Sequence, residues 1–165
     1  MSIPEHVLDI FLQPGDYFWG DADTRIRTIL GSCVSLILWH PTKKEGGMCH
    51  MMLPARPNKR APHEPLDGKY GNEAWELFRM DLERTKTKPS EYVVKMFGGA
   101  SMFDIDPMPG SNIHHKLNMG ERNIEMAKKI IIENKLNLVS NNVGGTNSRR
   151  IHFDVWSGNV WLKRQ

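Results

Sequence analysis

Residues 28–54, TILGSCVSLILWHPTKKEGGMCHMMLP, decide the fold of this chain. Two apolar runs, Val34–Trp39 and Met48–Leu53, lie on either side of a polar segment, His40–Gly47, that contains a proline and two glycines. β-rich runs separated by such residues are typical of hairpins. The stretch therefore predicts two neighbouring antiparallel strands.

The hairpin carries one reactive side chain in each of its two strands. Cys33 follows the tight turn Gly31-Ser32 at the start of the first strand, and His50 lies in the second strand. Paired strands are about 4.8 Å apart, so the thiol and the imidazole can lie side by side. An imidazole that accepts the thiol proton produces a nucleophilic sulfur, and backbone N–H groups at the turn can stabilise an oxyanion. This chemistry is suited to acyl transfer on amides or esters.

Cys33 also has a purely structural interpretation. Free cysteine is among the most buried residue types and commonly behaves as a small hydrophobic residue. Pairing of a cysteine with a histidine in space does not follow from their spacing in the sequence. The residues alone leave both interpretations open.

The composition favours one small domain that spans residues 1–165. No run approaches the ~18 apolar residues of a membrane span, and a signal-peptide pattern is absent, so we expect no membrane insertion. Two cysteines without a secretion signal favour a reducing, cytoplasmic location over a disulfide framework. The net charge of +3 comes from scattered residues, which argues against nucleic-acid binding.

The rest of the chain alternates strand and helix patterns. Strands are predicted at Val7–Leu12, Arg25–Leu30, Tyr92–Phe97, Leu136–Asn142, Arg150–Trp156 and Val160–Lys163, and helices at Asn72–Thr85 and from an Asn118 cap to about Asn134. Asp16–Trp19 is expected to lead into a loop. Together these elements predict an α/β (α+β) domain in which a mixed or antiparallel sheet packs against helices.

Other candidate ligands carry weaker signals. Gly98-Gly99 lacks the surrounding pattern of a nucleotide site. His114 and His115 are neighbours whose side chains point apart, and no cysteine or carboxylate accompanies them at zinc-site spacing. The proline-rich loop 55–67 is either mobile or functional, and its position after the hairpin favours a functional role; its His63 is expected to be exposed. We expect neither a metal nor an organic cofactor.

Short motifs recur along the chain in a fixed order. They are LGSCV at 30–34, GGMCHMMLP at 46–54, GKYG at 68–71, FGGA at 97–100, GERN at 120–123, and VGGT at 143–146 followed by Arg149-Arg150. This collinear set resembles the CheD family of chemoreceptor glutamine deamidases. The implied fold is a layered sandwich related to the toxin deamidase domain of cytotoxic necrotizing factor.

The resemblance also implies roles for individual residues. Cys33 corresponds to the family's nucleophile and His50 to its general base. A threonine on the preceding strand orients the histidine, and Thr28 is the nearest candidate, with Thr24 as the alternative. Cys49 stands where relatives carry a small residue; because side chains alternate along a strand, we expect it to face away from His50 and to pack in the core.

The implied activity is hydrolysis of glutamine side-chain amides to glutamate, with ammonia release, on methyl-accepting chemotaxis receptors. Glutamyl methyl esters are a further implied substrate class, and the phosphatase CheC is a further implied partner. Two alternatives stay open. In the first, the protein is a non-catalytic regulatory partner of chemoreceptors or of CheC. In the second, it is a cysteine protease.

Overall fold

The computed structural model describes residues 2–101 and 118–165. These residues form nine strands, two α-helices and a short 3-10 turn at Pro89–Glu91. The strands are β1 Leu8–Phe11, β2 Tyr17–Gly20, β3 Thr24–Leu30, β4 Val34–His40, β5 Glu45–Cys49, β6 Val93–Gly98, β7 Asn137–Val143, β8 Arg149–Asp154 and β9 Asn159–Arg164. The helices are α1 Gly71–Thr85 and α2 Met119–Glu133.

The strands are arranged in two mixed sheets. The first sheet has the order β1-β3-β8-β9, with β1 parallel to β3 and the other pairs antiparallel. The second sheet has the order β2-β5-β4-β6-β7, with only β6 and β7 parallel among its described pairs. The prediction of an α+β domain with mixed sheet is confirmed at this level.

Strand β4 explains how the layers are stacked. Its residues alternate between two cores: Ile37 packs with Ile26 and Phe153 of the first sheet, whereas Leu36 and Leu38 pack with the helices. A strand that is covered on both faces has a nearly continuous apolar sequence, and residues 34–39, VSLILW, have this pattern. The second sheet therefore lies between the first sheet and the helical layer.

The helix boundaries follow from local capping. Asn118 precedes α2, and its side chain accepts a hydrogen bond from the Glu121 N–H at 2.9 Å, while the Glu121 carboxylate accepts from the Asn118 N–H. This reciprocal pair satisfies two N–H groups that the helix leaves free. The predicted cap is confirmed. Helix α1 ends at Thr85 and is capped by Lys86, whose φ of 56° is left-handed.

Two local predictions were wrong. Tyr17–Gly20 forms the edge strand β2, paired with β5, where no strand was predicted and where Gly20 was expected to begin a loop. The glycines Gly46 and Gly47 lie inside β5 and not in the turn, and β5 ends at Cys49. A side chain at Gly46 would overlap the Leu38 carbonyl, and one at Gly47 would meet the Trp19 ring, so glycine serves close packing here.

Within the described ranges, neither helix combines the length and the apolar character that crossing a bilayer requires.

Candidate active site

Thr28 and His50 meet at the interface between the two sheets. Thr28 lies on the same face of β3 as Ile26 and Leu30, because side chains two positions apart in a strand point the same way. Ile26 and Leu30 are buried in the core between the sheets, so the Thr28 side chain points into that core as well. His50 follows β5 and is 2% exposed. The Thr28 Oγ1 and His50 Nδ1 atoms are 2.6 Å apart.

A third group decides the direction of this hydrogen bond. The Thr28 hydroxyl also contacts the Leu12 carbonyl oxygen at 2.8 Å, and that oxygen only accepts. The single hydroxyl proton is therefore donated to Leu12, so Oγ1 accepts from the N–H at His50 Nδ1. This tautomer leaves Nε2 of His50 without a proton, and Nε2 is the nitrogen that is free to act as a base.

The backbone of His50 is also fixed. Its N–H donates to the Asp16 carbonyl at 3.0 Å, and its carbonyl accepts from the Gly15 N–H at 2.8 Å. These bonds continue the antiparallel contact of β2 with β5 and tie His50 to the segment that precedes β2. His50 is therefore held through its backbone and through the Nδ1 atom of its ring.

Cys33 lies on the same face of the second sheet as His50. Val34 and Met51 form a bridge that continues the β4–β5 register, which places Cys33 diagonally across from His50. Diagonal neighbours are about 7–8 Å apart at Cα, within reach of longer side chains. Cys33 is half-buried. Among the described hydrogen bonds, none joins the Cys33 sulfur to His50. Thr28 and His50 are therefore the pair in direct contact, and Cys33 lies beside them without a hydrogen bond to His50.

The turn at Cys33 is held by its carbonyl groups. The Gly31 oxygen accepts from the Ala100 N–H at 2.9 Å, and the Cys33 oxygen accepts from the Gly99 N–H at 2.8 Å. The Ser32 oxygen accepts from Asn123 Nδ2 at 3.0 Å. In a trans peptide the N–H points opposite to the C=O, so the N–H groups of Ser32 and Cys33 point away from these anchors.

Gly98 permits this close approach, which gives a test of the turn. Gly98→Ala is expected to destabilise the protein by about 2–4 kcal/mol, because φ is +108° and the new methyl would overlap the Cys33 carbonyl oxygen. Urea unfolding measures the loss. Gly144→Ala is the control, since φ is +83° there but no atom lies within 4 Å of the added carbon. Equal losses in the two variants would contradict a tight contact at Gly98.

The remaining predicted residues lie elsewhere. Thr24 is buried, and its hydroxyl donates to Asp21 Oδ1 at 3.2 Å, so it is not the hydroxyl that contacts His50. Cys49 is fully buried in the core below the helices, and its sulfur accepts from the Leu36 N–H. Its predicted packing role is confirmed. His63 is exposed, and His114 and His115 lie outside the described residues.

Burial shifts the pKa of both candidate catalytic groups. It raises the pKa of the Cys33 thiol to about 11. It lowers the pKa of His50 to about 4, although the Asp16 carboxylate opposes this shift. Both changes favour the neutral form, because desolvation disfavours charge. The resting site therefore contains a thiol and a neutral imidazole near pH 7.

The lowered pKa of His50 predicts acid destabilisation. Below its ordinary pKa of 6.5, the unfolded chain binds a proton that the folded chain does not, so stability falls as the pH falls from 6.5 towards 4. We expect His50 to account for about 2 kcal/mol of stability lost between pH 7 and pH 5. Urea unfolding of wild type and His50→Gln at both pH values measures it. An identical pH dependence in the two proteins would contradict the buried, neutral imidazole.

Two polar residues that sequence reasoning did not single out hold this region together. Asn123 donates to the Ser32 and Met52 carbonyls. Arg149 is 3% exposed and donates to the Gly98 carbonyl at 3.2 Å and to Asn142 Oδ1 at 2.7 Å. Both belong to motifs quoted above, but nothing in their local sequence indicates which distant carbonyls they bind.

The fold and the site define a class of protein. It is a two-sheet α+β protein with a buried threonine–histidine pair between its sheets and a half-buried cysteine on the same face. A family model described as CheD chemotactic sensory transduction matches residues 52–164. The chain belongs to the CheD family.

Individual relatives match nearly the whole chain. A probable chemoreceptor glutamine deamidase CheD 3 of Dechloromonas aromatica is 44% identical over 98% of this chain and 90% of its own length. CheD 1 of Leptospira interrogans, with the same descriptive name, is 42% identical over 98% of this chain and 95% of its own. The CheD of Pseudomonas syringae pv. syringae, also named a probable chemoreceptor glutamine deamidase, is 41% identical over the full chain and 89% of its own.

Proposed function

We propose that this protein is a cytoplasmic chemoreceptor glutamine deamidase that hydrolyses glutamine side-chain amides to glutamate and releases ammonia. The names of its relatives support the activity and the substrate class. The observation that carries the mechanism is the Thr28–His50 contact, because it leaves His50 Nε2 unprotonated on the face that also carries Cys33. We assign Cys33 as the nucleophile, His50 as the general base and Thr28 as the residue that orients His50.

The reaction begins from the neutral pair. His50 Nε2 takes the thiol proton as Cys33 Sγ bonds to the carboxamide carbon, and the carbonyl electrons move to oxygen. The C–N bond then breaks, and the proton on Nε2 leaves with the nitrogen as ammonia. Water adds to the thioester while Nε2 takes its proton. The C–S bond breaks, and the proton returns to the sulfur.

The first step requires the sulfur and Nε2 to come together. A change in the χ1 rotamer of Cys33 moves Sγ while the backbone stays fixed by its anchored carbonyls. Catalytic hydrogen bonds are commonly long in free enzymes and shorten in the substrate complex. The diagonal register of the two residues is compatible with such closure.

The oxyanion of each tetrahedral intermediate also needs donors. The N–H groups of Ser32 and Cys33 point away from the anchored carbonyls, and no described residue accepts from them. Such preorganised donors stabilise a developing negative charge without reorganisation at the moment of reaction. We assign these two groups to the oxyanion site.

Thr28 gives a graded test of the mechanism. Thr28→Val keeps the side-chain shape but removes the hydroxyl that fixes the tautomer, so kcat is expected to fall about 10–100-fold. Thr28→Ser retains the hydroxyl and is expected to retain most of the activity. Ammonia release from a receptor fragment measures both. Thr24→Val is the control at the alternative threonine; a larger loss there than at Thr28 would reverse the assignment.

The substrates that we propose are glutamines on the cytoplasmic helices of methyl-accepting receptors. Glutamyl methyl esters present the same acyl carbon with methanol as the leaving group, so the same dyad is suited to them. We also propose CheC as a regulatory partner, and kinship of the fold with the deamidase domain of cytotoxic necrotizing factor. Mass spectrometry of a receptor treated with the protein tests the activity: deamidation adds about one dalton per site, whereas a protease cuts the chain.

A further inference from the structure

Asn123 lies in the first turns of α2, where the helix is packed closely on the end of β6. It is fully buried, with 0% exposure. Three residues earlier, Gly120 lies so near the Gly99 and Ala100 carbonyls that a Cβ there would overlap them. The start of the helix is therefore fixed against the same segment that anchors the Cys33 turn.

The Asn123 amide joins the two segments that carry the proposed catalytic pair. Its Nδ2 donates to the Ser32 carbonyl at 3.0 Å and to the Met52 carbonyl at 2.9 Å. Both partners only accept, so they identify the NH₂ end of the amide. Ser32 immediately precedes Cys33, and Met52 lies two residues after His50. One NH₂ group therefore ties the nucleophile's segment to that of the base.

The other end of the amide shows what this arrangement costs. Asn123 Oδ1 is buried and has no hydrogen-bond partner in the described part of the chain. A buried, unpaired acceptor lowers stability, and an apolar side chain of similar size would avoid that cost. The contribution of Asn123 therefore lies in the two bonds made by its NH₂ group.

We infer that Asn123 is a positioning residue for deamidation: its NH₂ group sets the separation of Cys33 from His50 and fixes the Ser32–Cys33 peptide. With the Ser32 oxygen held by Asn123, the Cys33 N–H of the same trans peptide points away from α2. This role rests on the proposed Cys33–His50 chemistry and adds to it a residue that does not contact the substrate.

Asn123→Leu tests the inference with two readouts. We expect kcat for a receptor fragment to fall about 100-fold, as a displacement of about 1 Å in a catalytic pair produces, with KM changed less than about twofold. We also expect Cys33 to react more slowly with iodoacetamide at pH 7, approaching the rate of His50→Ala, because the thiol loses its base. A purely structural role predicts the opposite, since a loosened turn exposes the thiol and speeds its alkylation.

Matched variants keep the test decisive. Asn134→Ala removes a partly buried hydrogen bond, from Asn134 Nδ2 to the Ile130 carbonyl at 2.9 Å, at the other end of the same helix. It is expected to leave kcat and alkylation unchanged. If Asn123→Leu does not fold, Asn123→Asp keeps the shape with at most one donor and is expected to lose at least about tenfold in kcat.

The inference is overturned if the folded Asn123 variant keeps kcat within about twofold of wild type, if only KM changes, or if alkylation of Cys33 becomes faster. Failure of the proposed function gives a different result: wild type itself then releases no ammonia. In that case the alkylation rates of wild type, Asn123→Leu and His50→Ala still measure whether Asn123 places the thiol beside its base.

Discussion

Replacing Cys33 by alanine is expected to abolish ammonia release from receptor glutamines, with a fall in kcat of at least about 10⁴-fold. The reason is that a thioester needs a thiol, and the only other cysteine of the chain, Cys49, is buried on the opposite face of the sheet. An assay of ammonia released from a purified receptor fragment measures the loss. Cys49→Ala is the matched control, because Cys49 lies in the core below the helices and is expected to keep kcat within about twofold.

Receptor binding should survive the Cys33→Ala change, since only one sulfur atom is removed from a half-buried position. A co-sedimentation assay with receptor-containing membranes measures binding. Wild-type protein that binds the receptor but releases no ammonia would favour the regulatory-partner alternative. Ammonia release by Cys33→Ala at the wild-type rate would assign the chemistry to another residue.

His50→Ala is the second change with a large expected effect. At pH 7 we expect kcat to fall about 10³–10⁴-fold, because the thiol loses its proton acceptor and the leaving nitrogen loses its proton donor. Burial raises the pKa of Cys33 to about 11, so thiolate forms on its own only at high pH. The residual rate of this variant should therefore rise about tenfold per pH unit above pH 7.

The pH dependence separates loss of a base from general damage. His152→Ala is a suitable control, since His152 is a partly exposed residue of β8 outside the site, and it should keep the wild-type rate. A kcat for His50→Ala within about tenfold of wild type at pH 7, or a flat residual rate up to pH 9, would remove His50 from the role of base.

Much of the central hairpin was predictable because its signals are local. The run Val34–Trp39 is apolar on both faces, and Pro41 begins the turn, so β4 and its antiparallel partner followed from the sequence. The Asn118 cap followed from the preference of asparagine for the position just before a helical pattern. β2 was missed because a four-residue aromatic strand at a sheet edge has too little alternation to be recognised, and Gly46-Gly47 looked like a turn because glycine signals turns and close packing alike.

The candidate site was predictable only in part. Cys33 and His50 belong to one hairpin, so strand pairing indicated that they could be neighbours, whereas their roles and Thr28 entered through the family resemblance. The Leu12 carbonyl that sets the tautomer is 16 residues from Thr28, and Asn123 is 91 residues from Ser32. Contacts of this kind depend on how separate sheets and a helix pack, and no local pattern in the sequence specifies them.

The most direct test of the Cys33–His50 mechanism is a time course of the intact mass of a receptor fragment incubated with wild type, Cys33→Ala or His50→Ala at pH 7. Wild type is expected to raise the mass in steps of about one dalton per modified glutamine, and both variants are expected to leave it unchanged over the same period. A full mass increase with either variant, or receptor fragments cut by wild type, would contradict the mechanism.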